Sequence, residues 1–328
     1  MSLFSDRDFE KAGARIVYSP EEVYRRADLV LKVGAPIPEE AEWPREGSIV
    51  MGFPHLAASR REVLQALLLN RVTAIAYETV EQDDGTLPVL MPLSQVAGRM
   101  ASQIAARLLQ NDHGGKGILV GGMPGVPPAE VVIIGAGTVG AAAAEAFLAI
   151  GASVYVLDKD LARPQRLEWH CRTGRRPVMM VSHEFNVRKV VKFADVLVGA
   201  GLVPGARTPV VVTREVVQSM RQRSVILDIA IDQGGCVETS RPTTHTGPTF
   251  VEEVVIHYCV PNLTSVAARP ATHAFNSAAW PLMSEIARSG LDGALAKLPA
   301  PRRGVATHDG QVVNRALAAH LHTAEAQQ

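Results

Sequence analysis

The sequence predicts an α/β protein with two Rossmann-like domains and mainly parallel sheets. Three observations carry this. Short apolar runs alternate with helical patterns along most of the chain, and strands separated by helices pair in parallel. The alternation occurs twice, before residue 94 and again between residues 95 and 267. The second run opens on a glycine-rich turn of dinucleotide type.

In the first run, residues 15–18 predict a strand, and Ser19 with Pro20 and Glu21 predicts an N-cap followed by an N1 proline. Residues 28–33 and 48–53 predict the next strands. Ser59 is expected to cap a helix reaching about Asn70, and residues 72–77 predict a fourth strand. Apolar residues at three- and four-residue spacing predict a long helix over 94–109. Residues 114–128 are rich in Gly and Pro. They are no P-loop, because Lys116 precedes Gly117 rather than Ser or Thr. A hairpin or inter-domain loop is expected there. The second run predicts strands at 131–134, 153–157, 195–199, 224–228 and 254–258, with a helix over 138–150. A further helix is expected over 273–288, and a short one follows the Pro299 region. The domains expected are 1–94 with 268–328, and 95–267.

Composition bounds the function. The chain has 328 residues, 47% hydrophobic and 20% charged, too apolar for disorder. Lys plus Arg and Asp plus Glu are both 33. With no net charge, no global field attracts nucleic acid or an anionic membrane, and neither partner is expected. Cys171, Cys236 and Cys259 form no CxxC, so no metal site is expected. An odd, low cysteine count fits a reducing compartment. The N-terminus is charged from Asp6 onward, and the apolar stretches are broken by glycine. Signal peptide and membrane span are therefore not expected, and a cytoplasmic protein is.

The turn Gly135-Ala136-Gly137-Thr138-Val139-Gly140 follows an apolar strand and opens an alanine-rich helix. The first glycine permits the tight turn. The second lets the backbone approach a pyrophosphate, and the third permits close helix–strand packing. The helix N-terminus offers N–H groups to the phosphates. Asp158 ends the next strand, where a carboxylate accepts ribose hydroxyls and repels a 2′-phosphate. NAD is therefore favoured over NADP, a preference that Lys159 and Arg163 weaken slightly.

Three other segments end strands where parallel sheets bind ligands. His55 follows one. Asp228 to Gly235, with Asp232, follow another. His257 to Leu263 end a third. His55 and Asp232 are candidates for proton exchange and for stabilising a cationic nitrogen. A lone histidine is more often a satisfied core residue, and a lone aspartate is more often a cap.

Across residues 8–17, 29–33, 55–58, 72–80, 94–101, 121–140, 228–245 and 257–263 the sequence resembles the alanine dehydrogenase branch of the alanine dehydrogenase/pyridine nucleotide transhydrogenase family. The resemblance implies a substrate domain and an NAD domain joined by long helices, assembled as dimers or hexamers. It implies reversible oxidative deamination of alanine to pyruvate and ammonia. It gives His55 the role of substrate-binding general acid/base, and puts Asp232 near the reacting carbon. It puts Ser94, Asp158, Arg163, Ser182, Leu202, Asn262 and Leu263 in contact with NAD.

Two departures stand out. The family motif Lys-Val-Lys-Glu-Pro reads Lys32-Val33-Gly34-Ala35-Pro36 here, so Gly34 replaces a lysine that binds the substrate carbonyl. The chain also starts well inside the family's first domain, so that domain is expected to lack its N-terminal strands and their carboxylate-binding arginine. Three readings follow. The chain is an NAD-dependent amino-acid dehydrogenase or imine-reductase-like enzyme acting on a changed 2-amino, 2-imino or 2-oxo acid and poor on alanine. Or it is a plain alanine dehydrogenase with an incomplete N-terminus. Or it is a catalytically weak NAD-binding paralogue with an assembly or regulatory role.

Overall fold

The computed structural model describes residues 4–160, 162, 174–298 and 300–325. The chain divides into two compact units: Met1–Leu93 with Pro204–Arg207 and Ser265–Gln328, and Ser94–Val203 with Thr208–Thr264.

The first unit holds β1 (Leu29–Leu31), β2 (Ile49–Gly52) and β3 (Thr73–Ala76), mutually parallel, with Val30 beside Val50 and Val50 beside Ala74. Two strands late in the chain complete this sheet. They are numbered β11 (Val305–His308) and β12 (Gln311–Val312), because seven strands of the second unit intervene. β11 runs antiparallel beside β3, and β12 antiparallel beside β11. Alternation along the strands sorts the core. Val30, Val50 and Ala74 meet Tyr24, Val63 and Leu67 from helices Pro20–Arg26 and Arg61–Leu69. On the other face Met51, Ile75 and Tyr77 meet Phe275 and Ile286 from helix Ala268–Lys297.

Several expectations are corrected. Residues 15–18 form no strand, and among the described residues β1 is the end of its sheet, so no strand lies beside them to pair with. Ser19 caps as expected, accepting the Glu22 N–H at 3.3 Å. Ser59 does not. Arg60 occupies the cap position, and the Ser59 hydroxyl instead donates to the Leu56 carbonyl at 3.0 Å. The helix expected over 273–288 is the longer Ala268–Lys297, interrupted at Gly290 (φ 68°). β11 was not expected. Its signal is Asp309-Gly310, both at positive φ (47° and 75°), the pairing that two-residue hairpins favour.

The second unit holds β4 (Glu130–Ile134), β5 (Ser153–Asp158), β6 (Val178–Val181), β7 (Val196–Gly199), β8 (Val225–Asp228), β9 (Thr249–Glu252) and β10 (Val255–Tyr258). Their order is β6-β5-β4-β7-β8-β10-β9, parallel except for β9. Strand order reverses between β4 and β7, the place where doubly wound sheets bind ligands. Val131, Ile133 and Val198 pack with Phe147 and Leu148 on one face. Val132, Leu157 and Leu197 pack with Val187 and Val190 on the other. Helix Met91–Leu108 lies against helix Thr138–Ala149 so closely that a Cβ at Gly98 would stand 2.4 Å from the Val139 carbonyl. In the Gly/Pro-rich stretch, Met123 and Val126 exchange backbone bonds across a tight hairpin.

Gly310→Val should cost about 1–3 kcal/mol, because the valine must hold a left-handed φ. Urea unfolding measures this, and an unchanged midpoint would show that the turn does not constrain β11.

Candidate active site

The glycine turn is built as its spacing predicts. Gly135 has φ 104°, and a Cβ there would stand 2.6 Å from the Ala200 carbonyl. A Cβ at Gly140 would stand 1.8 Å from the Gly135 carbonyl, so no other residue fits without moving the backbone. Gly137 differs, because nothing lies within 4 Å of its Cβ position. It is the N-cap of helix Thr138–Ala149 and makes no side-chain cap bond. Thr138 is exposed at the head of that helix, with Val139 half-buried behind it. The first N–H groups of the helix thus face open space at a backbone that a phosphate can approach closely. These residues fit a dinucleotide.

Asp158 is buried at the end of β5. Its Oδ2 accepts the Ala136 N–H at 2.7 Å, inside the glycine turn, and its Oδ1 accepts the Asp160 N–H at 2.9 Å. A carboxylate has about four lone-pair sites, so both oxygens retain capacity for ribose hydroxyls. Ser182 donates its N–H to the Asp158 carbonyl at 2.9 Å. Ser94 is buried on helix Met91–Leu108, and Leu202 is exposed in the loop after β7. Arg163 and Cys171 lie outside the described residues.

Asp232 is half-buried in the 3-10 turn Ile229–Gln233. Asn262, at φ 51°, donates its N–H to Asp232 Oδ1 at 3.0 Å, while Leu263 is buried beside it in sequence. The structure therefore brings together Asp232 and Asn262, which the sequence pointed to separately. The turn that carries Asp232 is capped by Asp228, whose role the sequence did not reveal. It is buried, with Oδ2 accepting the Cys236 and Val237 N–H groups at 3.0 and 3.1 Å and Oδ1 accepting that of Ala230 at 3.2 Å. Burial pushes its pKa up, against these bonds.

His55 belongs to the first unit and follows β2. Its φ is 45°, and its side chain is 16% exposed. Its ring stacks near Phe53, with centroids 6.2 Å apart. Its N–H donates to Glu78 Oε1 at 2.8 Å, and Nδ1 lies 3.7 Å from the same oxygen. Glu78, buried just after β3, was missed from sequence. The available signal was a carboxylate closing an apolar run. Lys32, near the end of β1, is paired to Glu40 at 2.9 Å. Gly34 has nothing within 4 Å of its Cβ position.

His257 is structural. It is fully buried, with Nε2 2.8 Å from the Thr239 hydroxyl, Nδ1 3.0 Å from the Val255 carbonyl and its ring stacked 4.8 Å from Phe250. Burial lowers its pKa from the ordinary 6.5. Among the described residues no group of three His, Cys, Asp or Glu is placed to hold a metal ion, and no helix is long and apolar enough to cross a membrane.

Comparison with known proteins agrees with this architecture. Residues 1–97 match the model of the alanine dehydrogenase/PNT N-terminal domain, and residues 101–315 match that of the C-terminal domain. An alanine dehydrogenase of Mycolicibacterium smegmatis is 43% identical over 98% of this chain and 85% of its own length. One of Methanococcus maripaludis is 42% identical over 97% of this chain and 84% of its own length. A solved L-alanine dehydrogenase superposes with a TM-score of 0.84 at 39% identity, over 98% of this chain and 88% of that one. A transhydrogenase of Sinorhizobium meliloti, at 24% identity and TM-score 0.70 over 96% of this chain and 87% of that one, shares the fold.

Two predictions follow from the second unit. Asp158→Ala should weaken NADH binding roughly tenfold, the scale of one charge-assisted hydrogen bond, and narrow the gap to NADPH. Calorimetry reads both, and tighter NADPH binding by the unmodified chain would refute the role given to Asp158. His257, with its pKa lower folded than unfolded, contributes stability above about pH 6.5 that is lost as pH falls. The urea midpoint should drop from pH 7 to pH 5 by less in His257→Gln than in the unmodified chain.

Proposed function

The chain belongs to the alanine dehydrogenase/PNT family, and on that premise we propose that it interconverts a small 2-amino acid and water with its 2-oxo acid and ammonia, using NAD. The observation that carries the reading is the open Gly137 cradle tied by Ala136 to a buried Asp158. When bound, NAD supplies the acceptor or donor of the hydride. His55 exchanges a proton with the attacking water or the departing group. Asp232, held by the Asn262 N–H, stabilises the cationic substrate nitrogen. Glycine-turn N–H groups and the helix N-terminus bind the pyrophosphate. Alanine and pyruvate are supported as the substrate pair by the relatives bearing the alanine dehydrogenase name.

A second reading, a larger 2-amino or imino acid, is favoured by Gly34. Its Cβ position is open, and Lys32 is committed to Glu40. Neither then supplies positive charge to a substrate carbonyl, a loss on the order of a hundredfold in rate. Space replaces the lost contact.

NADH oxidation with ammonia across a panel of 2-oxo acids tests both readings. Pyruvate as best substrate supports the first. A larger acid as best, with pyruvate negligible and gaining in Gly34→Lys only where a carboxylate-binding arginine is restored as well, supports the second. No amination of any acid overturns both. His55→Ala and Asp232→Ala should each lower turnover by roughly 10²–10⁴-fold, with NADH affinity nearly unchanged for His55→Ala. Full activity in both variants would remove these roles. Homo-oligomeric assembly is checked by sedimentation, where a monomer at micromolar concentration counts against it.

A further inference from the structure

Glu78 sits in the 3-10 turn Tyr77–Thr79 that follows β3, with its side chain 4% exposed. One oxygen, Oε1, meets His55 twice. It accepts the backbone N–H at 2.8 Å and lies 3.7 Å from Nδ1. The first contact holds a turn in which a non-glycine residue has left-handed φ, a conformation that needs support. The second is too long for a hydrogen bond, but it places a carboxylate within ion-pair range of the ring. Phe53 and Tyr77 pack edge to face beside them, with centroids 5.3 Å apart. Charge acts more strongly behind such apolar walls than in water. Nδ1 is buried without a hydrogen-bond partner, which leaves Nε2 to exchange protons.

Resting on the assignment of His55 as the proton-transfer group, we propose that Glu78 is the positioning residue of that histidine. Through Oε1 it fixes the His55 turn and holds Nδ1 toward a carboxylate, so that Nδ1 carries the ring hydrogen and Nε2 is the base. When Nε2 takes a proton the ring becomes cationic, and Glu78 compensates that charge without taking the proton. When Nε2 returns the proton, the ring is neutral again with its hydrogen on Nδ1. A buried acid orienting an imidazole does the same work in serine hydrolases.

Glu78→Gln separates charge from geometry, because an amide oxygen still accepts the His55 N–H. With the best 2-oxo acid of the panel, Glu78→Gln should lower kcat about a hundredfold or more, leave KM for NADH within about twofold, and keep a cooperative thermal melt. Glu78→Asp should recover part of the loss. Glu78→Gln should have no further effect on kcat in a His55→Ala background. ¹⁵N NMR of labelled histidine should find the ring hydrogen on Nδ1 of His55, and a shifted tautomer ratio in Glu78→Gln. That measurement decides alone if no acid is turned over. If kcat of Glu78→Gln stays within twofold while His55→Ala is inactive, the proposal falls and the role of His55 stands. If His55→Ala is fully active, the underlying reading falls. A Glu78→Gln chain that no longer melts cooperatively, or that lowers kcat equally with and without His55, makes Glu78 structural and overturns the proposal.

Discussion

Acidic side chains accepting main-chain N–H bonds keep the loops after the strands in shape in both units. Asp158 holds Ala136 in the glycine turn, and Asp228 holds Ala230, Cys236 and Val237. Asp232 holds Asn262, and Glu78 holds His55. Chain that leaves a sheet at a buried position must still pair its N–H groups. A carboxylate accepts several at once, each charge-assisted bond giving about 1.5–3 kcal/mol. Burial of the charge opposes this gain, and at Asp228 the opposition is large enough to raise the pKa. Loops held in this way keep their N–H groups paired, and the candidate residues His55, Asp232 and the glycine turn take their placement from these bonds.

The glycines divide accordingly. At Gly98, Gly135 and Gly140 a Cβ would collide with backbone, so these residues are required by the fold itself. At Gly137 and Gly34 a Cβ would meet nothing within 4 Å. Gly137 heads a helix, so its open side leaves room for the phosphate that the proposed function places there. Gly34 follows Lys32 of the half-buried Lys32–Glu40 pair, so in the second reading of the function its open side bears on substrate shape and charge. In the sequence all five are simply glycine.

The second unit was more legible than the first. β4, β5, β7, β8 and β10 are buried on both faces and so appear as continuous apolar runs of strand length. β6 and β9 are edge strands without a fully buried residue; β9 (Thr249–Glu252) mixes polar and apolar residues, while β6 (Val178–Val181) is a four-residue apolar run that was not expected as a strand. β11 is inserted beside β3 from a point more than two hundred residues away, and nothing local announces a partner so distant. Residues 15–18 have strand composition, but pairing needs a neighbour and the described sheet offers none. Ser59 shows the limit of capping rules, because its hydroxyl is drawn to the turn behind it. The turn at Gly135 and Gly140 was legible because a Cβ at either position would collide with backbone, so the sequence must carry glycine there. Glu78 was not, because its meaning depends on a histidine 23 residues earlier in the chain.

This asymmetry has a consequence for the reaction. In the proposed function, cofactor recognition rests on main-chain N–H groups, a helix terminus and one carboxylate. In the same proposal, substrate recognition rests on side-chain charge, so a single position bears on it more heavily. Lys32 cannot replace a lysine absent at position 34 without leaving Glu40, and removing one member of a part-buried pair strands the other. The energetic cost of freeing Lys32 is therefore charged against any substrate that would use it. A substrate that brings its own positive charge avoids that cost, because an iminium carbon is already polarised toward hydride. Under the second reading, the Lys32–Glu40 pair and the open Gly34 position thus make substrate charge, as well as size, a variable that the panel of acids has to span.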